Sequence, residues 1–136
     1  MKLLIDSNIV LDALMSRDPW AQAAQALIFA VAEEKIKGYI TASSSTDIYY
    51  ILRKHFKDKE RAKKELLDLL KLVDVLDVYG ADCKKAFELP MSDYEDALLA
   101  YCGKRHKMDC IVTRDGKHFA GSPVKVLSPD DVLKKL

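Results

Sequence analysis

Short apolar segments alternate with amphipathic helical segments along the whole chain, and this alternation limits the possible fold more than any other feature. The apolar segments are short and rich in Ile, Leu and Val, which is typical of strands buried on both faces. Strands that alternate with helices usually form a parallel sheet covered by helices on both sides. The sequence therefore predicts an α/β fold with a mainly parallel central sheet between two helical layers. The predicted strands are residues 2–5, 39–41, 73–78, 110–112 and 123–127.

The helical segments place apolar residues at intervals of three and four, so that each has one face directed toward a core. Ser43 to Ser45 offer an N-cap for a helix that contains Asp47 in its first turn. Ser92 is the predicted cap of a later helix, with Glu95 completing a capping box. Core packing is the expected role of Trp20, with a partner-binding surface as the alternative. The predicted helices are residues 9–14, 20–34, 47–55, 57–72, 80–88, 92–105 and a terminal helix from 128.

Length and charge indicate one domain, residues 1–136, without a strong overall field. The chain has 136 residues, within the usual size of a single domain. Hydrophobic residues make up 49% and charged residues 32%, which is ordinary for a globular protein. The formal net charge is +1, so contact with a nucleic acid would depend on local basic patches.

The cysteines and the apolar segments favour a cytoplasmic protein. The three cysteines include no CxxC pair, and both Cys102 and Cys110 lie in segments predicted to be buried, as reduced thiols would be. The apolar run at residues 3–5 is too short for a signal peptide, and Asp6 interrupts it. No segment approaches the length of about 20 apolar residues that spans a membrane. We therefore expect no membrane association.

Five aspartates lie where strands end or helices begin. Asp6 follows the first strand directly, Asp115 follows the strand at 110–112, and Asp47, Asp93 and Asp96 fall in predicted first helical turns. The carboxyl ends of parallel strands meet at one edge of the sheet, where sites of α/β proteins form. Clustered carboxylates repel one another, and a divalent cation removes that conflict. Oxygen ligands favour Mg²⁺ or Mn²⁺, and no His/Cys set has the spacing of a zinc site.

Each aspartate also has a purely structural interpretation. An aspartate in a first turn, such as Asp93, is often a cap or a partner of the helix dipole. Asp6 and Asp115 follow strands, where aspartate is a common turn residue. The conjunction of several such acids on one chain is what favours a metal site.

Four motifs in order resemble those of the PIN domain family, and the resemblance covers essentially the whole chain. The motifs are Leu-Leu-Ile-Asp-Ser-Asn at 3–8, Thr-Asp-Ile-Tyr-Tyr-Ile-Leu-Arg at 46–53, Ser-Asp-Tyr-Glu-Asp-Ala at 92–97, and Ile-Val-Thr-Arg-Asp at 111–115 with Phe119 after it. The resemblance implies an RNase H-like, three-layer fold and a metal-dependent ribonuclease. It also implies use as the toxin half of a toxin–antitoxin pair.

Carried over residue by residue, the resemblance assigns family acids to Asp6, Asp96 and Asp115 as ligands of Mg²⁺ or Mn²⁺. Thr113 matches a hydroxyl residue that helps to order the site. Asp47 takes the family's second acidic position as a catalytic residue, which would hold the metal directly or orient a water on it. The family usually has glutamate there, a side chain longer by one methylene. This departure bears on how active the enzyme is.

Neighbouring residues complete the predicted site. Asp93 lies about one helical turn from Asp96 and is a reserve metal ligand. Asn8 is predicted to hydrogen-bond within the site or to cap a helix. Arg114 and Lys117 flank Asp115 and are predicted to contact RNA. His118 is predicted to be an ordinary surface residue.

Other functional classes fit less well. A haloacid-dehalogenase-like phosphatase needs a second aspartate two residues after the first, where this chain has Asn8. A response-regulator receiver domain needs a lysine after a late strand, which Thr113-Arg114 does not supply. A non-catalytic PIN-like module that binds RNA or protein remains as the alternative. The expected partners are an RNA substrate, a cognate antitoxin protein and a second copy of the chain in a homodimer.

Overall fold

The computed structural model describes residues 1–136 and has a central sheet of five strands. The strand order is β3-β2-β1-β4-β5, and every neighbouring pair is parallel. This arrangement confirms the predicted parallel α/β fold. The strands are β1 (Lys2–Ile5), β2 (Lys37–Thr41), β3 (Asp74–Leu76), β4 (Cys110–Val112) and β5 (Val126–Leu127).

Seven α-helices and two short 3₁₀ helices surround the sheet. The 3₁₀ helices cover Ala86–Glu88 and Gly116–Phe119. None of the helices is both long enough and apolar enough to cross a membrane. The α-helices are α1 (Ser7–Leu14), α2 (Ala21–Ala32), α3 (Ala42–Phe56), α4 (Lys59–Leu72), α5 (Gly80–Lys85), α6 (Tyr94–Arg105) and α7 (Pro129–Leu133).

The alternation of side chains along β1 divides the core between the two faces of the sheet. Leu3 and Ile5 are fully buried in a cluster that includes residues of α1, α2, α3, α4 and α7. Leu4 is fully buried on the opposite face, in a cluster with residues of α6 and the second 3₁₀ helix. Both faces of β1 are therefore covered, which explains why its sequence is apolar without interruption.

Later strands are added to the sheet on both sides of β1. From β1 the chain adds β2 and then β3 on one side, and it later returns to place β4 and β5 on the other. The N–H of Asp6 donates to the carbonyl of Val112 over 3.0 Å, so the carboxyl ends of β1 and β4 lie side by side. Such a topological switch point is where open α/β sheets form their sites.

The predicted N-terminal caps of α3 and α6 are wrong, and both helices begin at other residues than expected. Helix α3 begins at Ala42, and Thr41 is its cap, with its Oγ1 accepting from the N–H of Ser44 at 3.3 Å. Asp47 therefore lies in the second turn of α3. Helix α6 is capped by Asp93 and not by Ser92, because the Asp93 carboxylate accepts from the N–H of Asp96 at 2.9 Å.

The expected burial of Trp20 is also wrong. Trp20 precedes α2, and 42% of its surface is exposed. Its ring lies beneath the guanidinium of Arg114, whose carbon is 3.9 Å from the ring centroid. A cation–π contact of this kind can form at the protein surface, so the Trp20 ring packs against Arg114 and still keeps part of its area in solvent.

Candidate active site

An acidic cleft of about 660 Å³ opens at the carboxyl ends of β1 and β4. An adjoining pocket of about 230 Å³ shares three of its acids and adds Asp47 from α3. The structure therefore brings the five predicted aspartates to one region of the surface, together with one glutamate. The acids that line the cleft are Asp6, Asp93, Glu95, Asp96 and Asp115.

Thr113 fixes the carboxylate of Asp6. Its Oγ1 donates to Oδ2 of Asp6 over 2.8 Å and accepts from the N–H of Asp115 over 3.1 Å. Thr113 is itself buried, at 1% exposure, so its hydroxyl has few alternative partners. Asp6 stands at the N-cap position of α1 but makes no capping hydrogen bond with its side chain. Its carboxylate is thus bound to the loop after β4.

Asn8 joins the same set through its amide. Its Nδ2 donates to Oδ2 of Asp115 over 3.1 Å and lies 3.5 Å from Oγ1 of Thr113. Its Oδ1 is buried and has no hydrogen-bond partner. An unpaired buried acceptor is rare in proteins and calls for a donor or a cation. Asn8 therefore lines the cleft and hydrogen-bonds to Asp115, and it does not cap α1.

Asp96 has the most perturbed carboxyl group in the cleft. Burial, followed by the charges of Asp6, Asp93 and Glu95, raises its pKa to about 7. The positive charge of His118 partly opposes this shift. Burial also raises the pKa of Asp6, although its hydrogen bond from Thr113 lowers it again in part. The site therefore holds carboxylates whose negative charges are in conflict.

Glu95 and Asp47 extend the acidic surface toward the adjoining pocket. Burial raises the pKa of Glu95, and the charges of Asp47 and Asp93 raise it further. Asp47 is exposed on α3 and makes no ion pair. Asp93 lines the cleft while one of its carboxylate oxygens caps α6. The structural and the site interpretations of Asp93 are thus compatible.

The basic residues predicted beside Asp115 are placed differently from one another. Arg114 lines the cleft, and its Nη1 is 3.8 Å from Oδ1 of Asp115. Lys117 is exposed in the second 3₁₀ helix and does not line the cleft. His118, predicted to be an ordinary surface residue, is exposed but does line it. A 3₁₀ turn repeats about every three residues, which places Lys117 and His118 on different sides.

The carboxylates share the cleft without converging on one point. No group of three or more His, Cys, Asp or Glu side chains lies close enough together to hold a metal ion. Mg²⁺ usually keeps several of its waters and is bound through only one or two carboxylates. A loosely gathered set of acids is compatible with that mode of binding.

The family model of the PIN domain matches residues 2–117. The chain belongs to the PIN domain family. The family resemblance of the four sequence motifs is thereby confirmed. No curated protein sequence matches the chain.

Solved structures share the fold of this PIN domain at low sequence identity. The VapBC2 structure from Rickettsia felis, bound to a DNA fragment from its promoter, matches with a TM-score of 0.70 at 18% identity, covering 94% of this chain and 98% of that one. The FitAcB structure from Neisseria gonorrhoeae matches with a TM-score of 0.68 at 18% identity, covering 93% and 97%. A structure from Pyrobaculum aerophilum gives 0.67 at 18% identity, covering 99% and 88%.

Two residues that line the PIN domain's cleft, Glu95 and Arg17, were not predicted to belong to the site. Glu95 was predicted to be only part of a capping box, yet it lines both pockets. Arg17 lines the cleft and pairs with Asp12, which is completely buried. An aspartate within the apolar segment at 9–14 is the signal that could have found the pair, because a buried charge needs a partner.

Proposed function

We propose that this PIN domain is a ribonuclease that hydrolyses RNA phosphodiester bonds with Mg²⁺ or Mn²⁺ bound in the acidic cleft. The observation that carries the proposal is the gathering of five carboxylates in one cleft at the carboxyl ends of β1 and β4, and the pKa of about 7 for Asp96 reflects their mutual repulsion and burial. A site that stores this repulsion gains stability when a cation binds.

The residues present fit a hard cation. Asp6, Asp96 and Asp115 offer carboxylate oxygens at the cleft, and Asn8 adds an unpaired buried oxygen. All are the oxygen ligands that Mg²⁺ and Mn²⁺ prefer. We propose Asp6, Asp96 and Asp115 as the metal-binding set and Asp93 as a further ligand.

When bound, the cation would activate water and stabilise the negative charge that develops on the phosphate. The protein's own groups prepare the site for it. Thr113 holds Asp6 in one orientation, and Asn8 does the same for Asp115. With its pKa raised to about 7, the Asp96 carboxyl holds a proton part of the time near neutral pH, and it would have to lose that proton to serve as a ligand. Asp47 is exposed and lies with Glu95 in the adjoining pocket, so it adds negative charge at the rim.

A role as the toxin of a toxin–antitoxin pair is the biological setting we propose. Structures with this fold include a toxin–antitoxin complex from Klebsiella pneumoniae, with a TM-score of 0.67 at 20% identity. By that likeness, the expected partner is a small antitoxin protein. A homodimer of this chain is a further proposal.

A non-catalytic module is the second candidate function. The spread of the acids, with no group of three in ligand geometry, is the observation that favours it. Such a protein would bind RNA or protein without metal-dependent turnover.

RNA cleavage distinguishes the two candidates. Labelled single-stranded RNA is incubated with the parent protein, Asp6→Asn, Asp96→Asn and a control variant, in Mg²⁺, Mn²⁺ or EDTA. Asp74→Asn is a suitable control, because Asp74 is an exposed carboxylate on the edge strand β3, away from the cleft. We expect the parent and the control to cut RNA only with metal, and both cleft variants to lose cutting. Cutting that survives Asp6→Asn and Asp96→Asn would contradict the assignment of the site.

A further inference from the structure

A completely buried aspartate joins two arginines on the wall of the cleft. Oδ1 of Asp12 accepts from Nε of Arg17 over 2.9 Å, and Oδ2 accepts from Nε of Arg114 over 2.8 Å. Asp12 belongs to α1, Arg17 follows that helix, and Arg114 follows β4. The carboxylate therefore holds two guanidinium groups from separate segments in fixed positions.

Both guanidinium groups retain donors that the protein does not use. Arg17 spends Nε on Asp12 and places Nη2 3.4 Å from the carbonyl oxygen of Asn8, which leaves Nη1 free. Arg114 donates Nε to Asp12, and its Nη1 lies 3.8 Å from Oδ1 of Asp115, beyond hydrogen-bond distance, so neither Nη atom makes a hydrogen bond. The guanidinium carbon of Arg114 also lies 3.9 Å from the centroid of the Trp20 ring, a second contact that holds the group in place. Fixed guanidinium groups with free donors suit the oxygens of a phosphate.

The acidic character of the cleft explains why positively charged side chains would be needed there to bind RNA. Its other charged lining residues are acids, apart from His118. An RNA backbone entering the cleft would be repelled by those acids unless a cationic group received one of its phosphates. Arg17 and Arg114 are the two arginines that line the cleft, and they carry two positive charges against the one negative charge of Asp12. Nη1 of Arg114 also lies 3.8 Å from Oδ1 of Asp115, so these positive charges stand directly beside a proposed metal ligand.

We propose that Arg17 and Arg114, positioned by Asp12 and Trp20, form a subsite for a backbone phosphate of single-stranded RNA beside the acidic site. The subsite rests on the proposed ribonuclease function and extends it to the binding of a neighbouring phosphate. Arg17 and Arg114 are the binding residues. Asp12 and Trp20 are positioning residues that do not touch the RNA.

The test measures RNA binding without cleavage. Fluorescence anisotropy of a short, labelled, unpaired RNA is recorded in Mg²⁺ at several salt concentrations, with every protein carrying Asp96→Asn. Arg17→Gln and Arg114→Gln are compared with Arg61→Gln. Arg61 is a matched control, since it also lies over an aromatic ring, that of Phe56 at 4.0 Å, and beside a carboxylate, but on α4 outside the cleft.

We expect each cleft variant to weaken binding by about tenfold, the usual effect of losing a charge-assisted hydrogen bond. The slope of log affinity against log salt should fall by about 0.7 for each arginine removed. Arg17→Lys and Arg114→Lys should keep the slope but recover only part of the affinity, because lysine lacks the planar fork of donors. Arg61→Gln should change neither quantity.

If Arg17→Gln and Arg114→Gln bind RNA with the affinity and salt slope of the parent, the proposed subsite is wrong. The contacts of Asp12 with the two arginines would then be only structural. If the glutamine variants do not fold, parental affinity in both lysine variants overturns the subsite equally, since lysine preserves the pairing with Asp12. Cleavage by the parent protein is assayed in parallel. Cutting with an unchanged salt slope means that the subsite alone is wrong. A reduced slope without any cutting by the parent means that the ribonuclease proposal is wrong while the phosphate contact stands.

Discussion

Thr113 donates its hydroxyl hydrogen to Oδ2 of Asp6 across 2.8 Å, and this contact ties the end of β4 to the first acid of the cleft. The two residues are 107 positions apart in the chain. Because the hydroxyl also accepts from the N–H of Asp115, a single buried oxygen orders two of the proposed metal-binding acids.

Removing this hydroxyl should impair the site while leaving the fold intact. We expect Thr113→Val to lower metal affinity and RNA cleavage by roughly 10–100-fold, the usual effect of losing a group that orients a ligand. Thr113→Ser keeps the hydroxyl and should stay close to the parent. Metal titration by calorimetry and cleavage rates provide the two readouts. Equal activity in the valine and serine variants would show that the contact does not order the site.

The thermal stability of the metal-free protein should fall as the pH rises from about 4 to about 7. Asp96 releases its proton near its ordinary pKa of 3.8 in the unfolded chain but near 7 in the folded protein. Across that interval the folded state binds more protons, so raising the pH favours unfolding. The Asp96→Asn variant cannot bind this proton, so its melting temperature should change less between these pH values. Melting temperatures measured against pH provide the test, with Asp74→Asn as a control that keeps the parental slope. If the melting temperature of Asp96→Asn depends on pH as strongly as that of the parent, a group other than Asp96 is responsible for the pH dependence.

Bound Mg²⁺ or Mn²⁺ should raise the melting temperature of the parent at neutral pH. A ligand that binds only the folded state stabilises it, and the stabilisation grows with the logarithm of the ligand concentration above Kd. Asp96→Asn removes both a proposed ligand and part of the repulsion, so the metal should shift its melting temperature less. Asp74→Asn should respond as the parent does. An identical shift in all three proteins would show that the metal binds outside the cleft.

Outside the cleft, the pair of Asp82 and Arg105 should be a major source of stability. Arg105 donates Nε and Nη2 to the two carboxylate oxygens of Asp82, each over 2.8 Å. Burial alone would raise the pKa of Asp82, but the hydrogen bonds from Arg105 and the N–H of Tyr79 outweigh it and lower the pKa. The stabilisation is therefore complete above the ordinary pKa and is lost as the pH falls through the lowered value.

Urea unfolding at neutral pH measures this contribution. Arg105→Met leaves the nearly inaccessible Asp82 carboxylate without its partner and should cost roughly 3 kcal/mol of the free energy of unfolding. Lys64→Met removes the fully exposed pair with Asp68 and should leave the free energy nearly unchanged. Similar losses in the two variants would show that the buried pair is no stronger than a surface one.

The sequence predicted most of the fold because each strand and helix carries its own periodic pattern. Leu3 to Ile5 are apolar on both sides, which is sufficient to place β1 inside a parallel sheet. Helix starts were harder to predict, because several neighbouring hydroxyl and carboxyl side chains could each cap the helix. In the structure Thr41 caps α3 and Asp93 caps α6. The shift put Asp47 one turn further along α3.

The gathering of the acids at one edge of the sheet could be predicted because strand ends are visible in the sequence, whereas side-chain pairings across the fold are not. Asp12 and Arg114 are separated by 102 positions, and no local pattern connects them. The exposure of Trp20 follows from the same pairing, since the ring lies against Arg114. Lys117 and His118 are adjacent in sequence, and only the geometry of the 3₁₀ turn shows which of them lines the cleft.

The chemical nature of the new RNA ends tests most directly whether the acidic cleft hydrolyses RNA with a bound metal. Products made by the parent protein with Mg²⁺ or Mn²⁺ are treated with enzymes that distinguish a 5′-phosphate and 3′-hydroxyl from a 5′-hydroxyl and 2′,3′-cyclic phosphate. Hydrolysis by an activated water at the acidic cleft predicts 5′-phosphate and 3′-hydroxyl ends that require the metal and disappear in Asp6→Asn. Cyclic phosphate ends, formed equally in EDTA, would mean that the RNA's own 2′-hydroxyl is the nucleophile and that the acidic cleft is not the catalytic site.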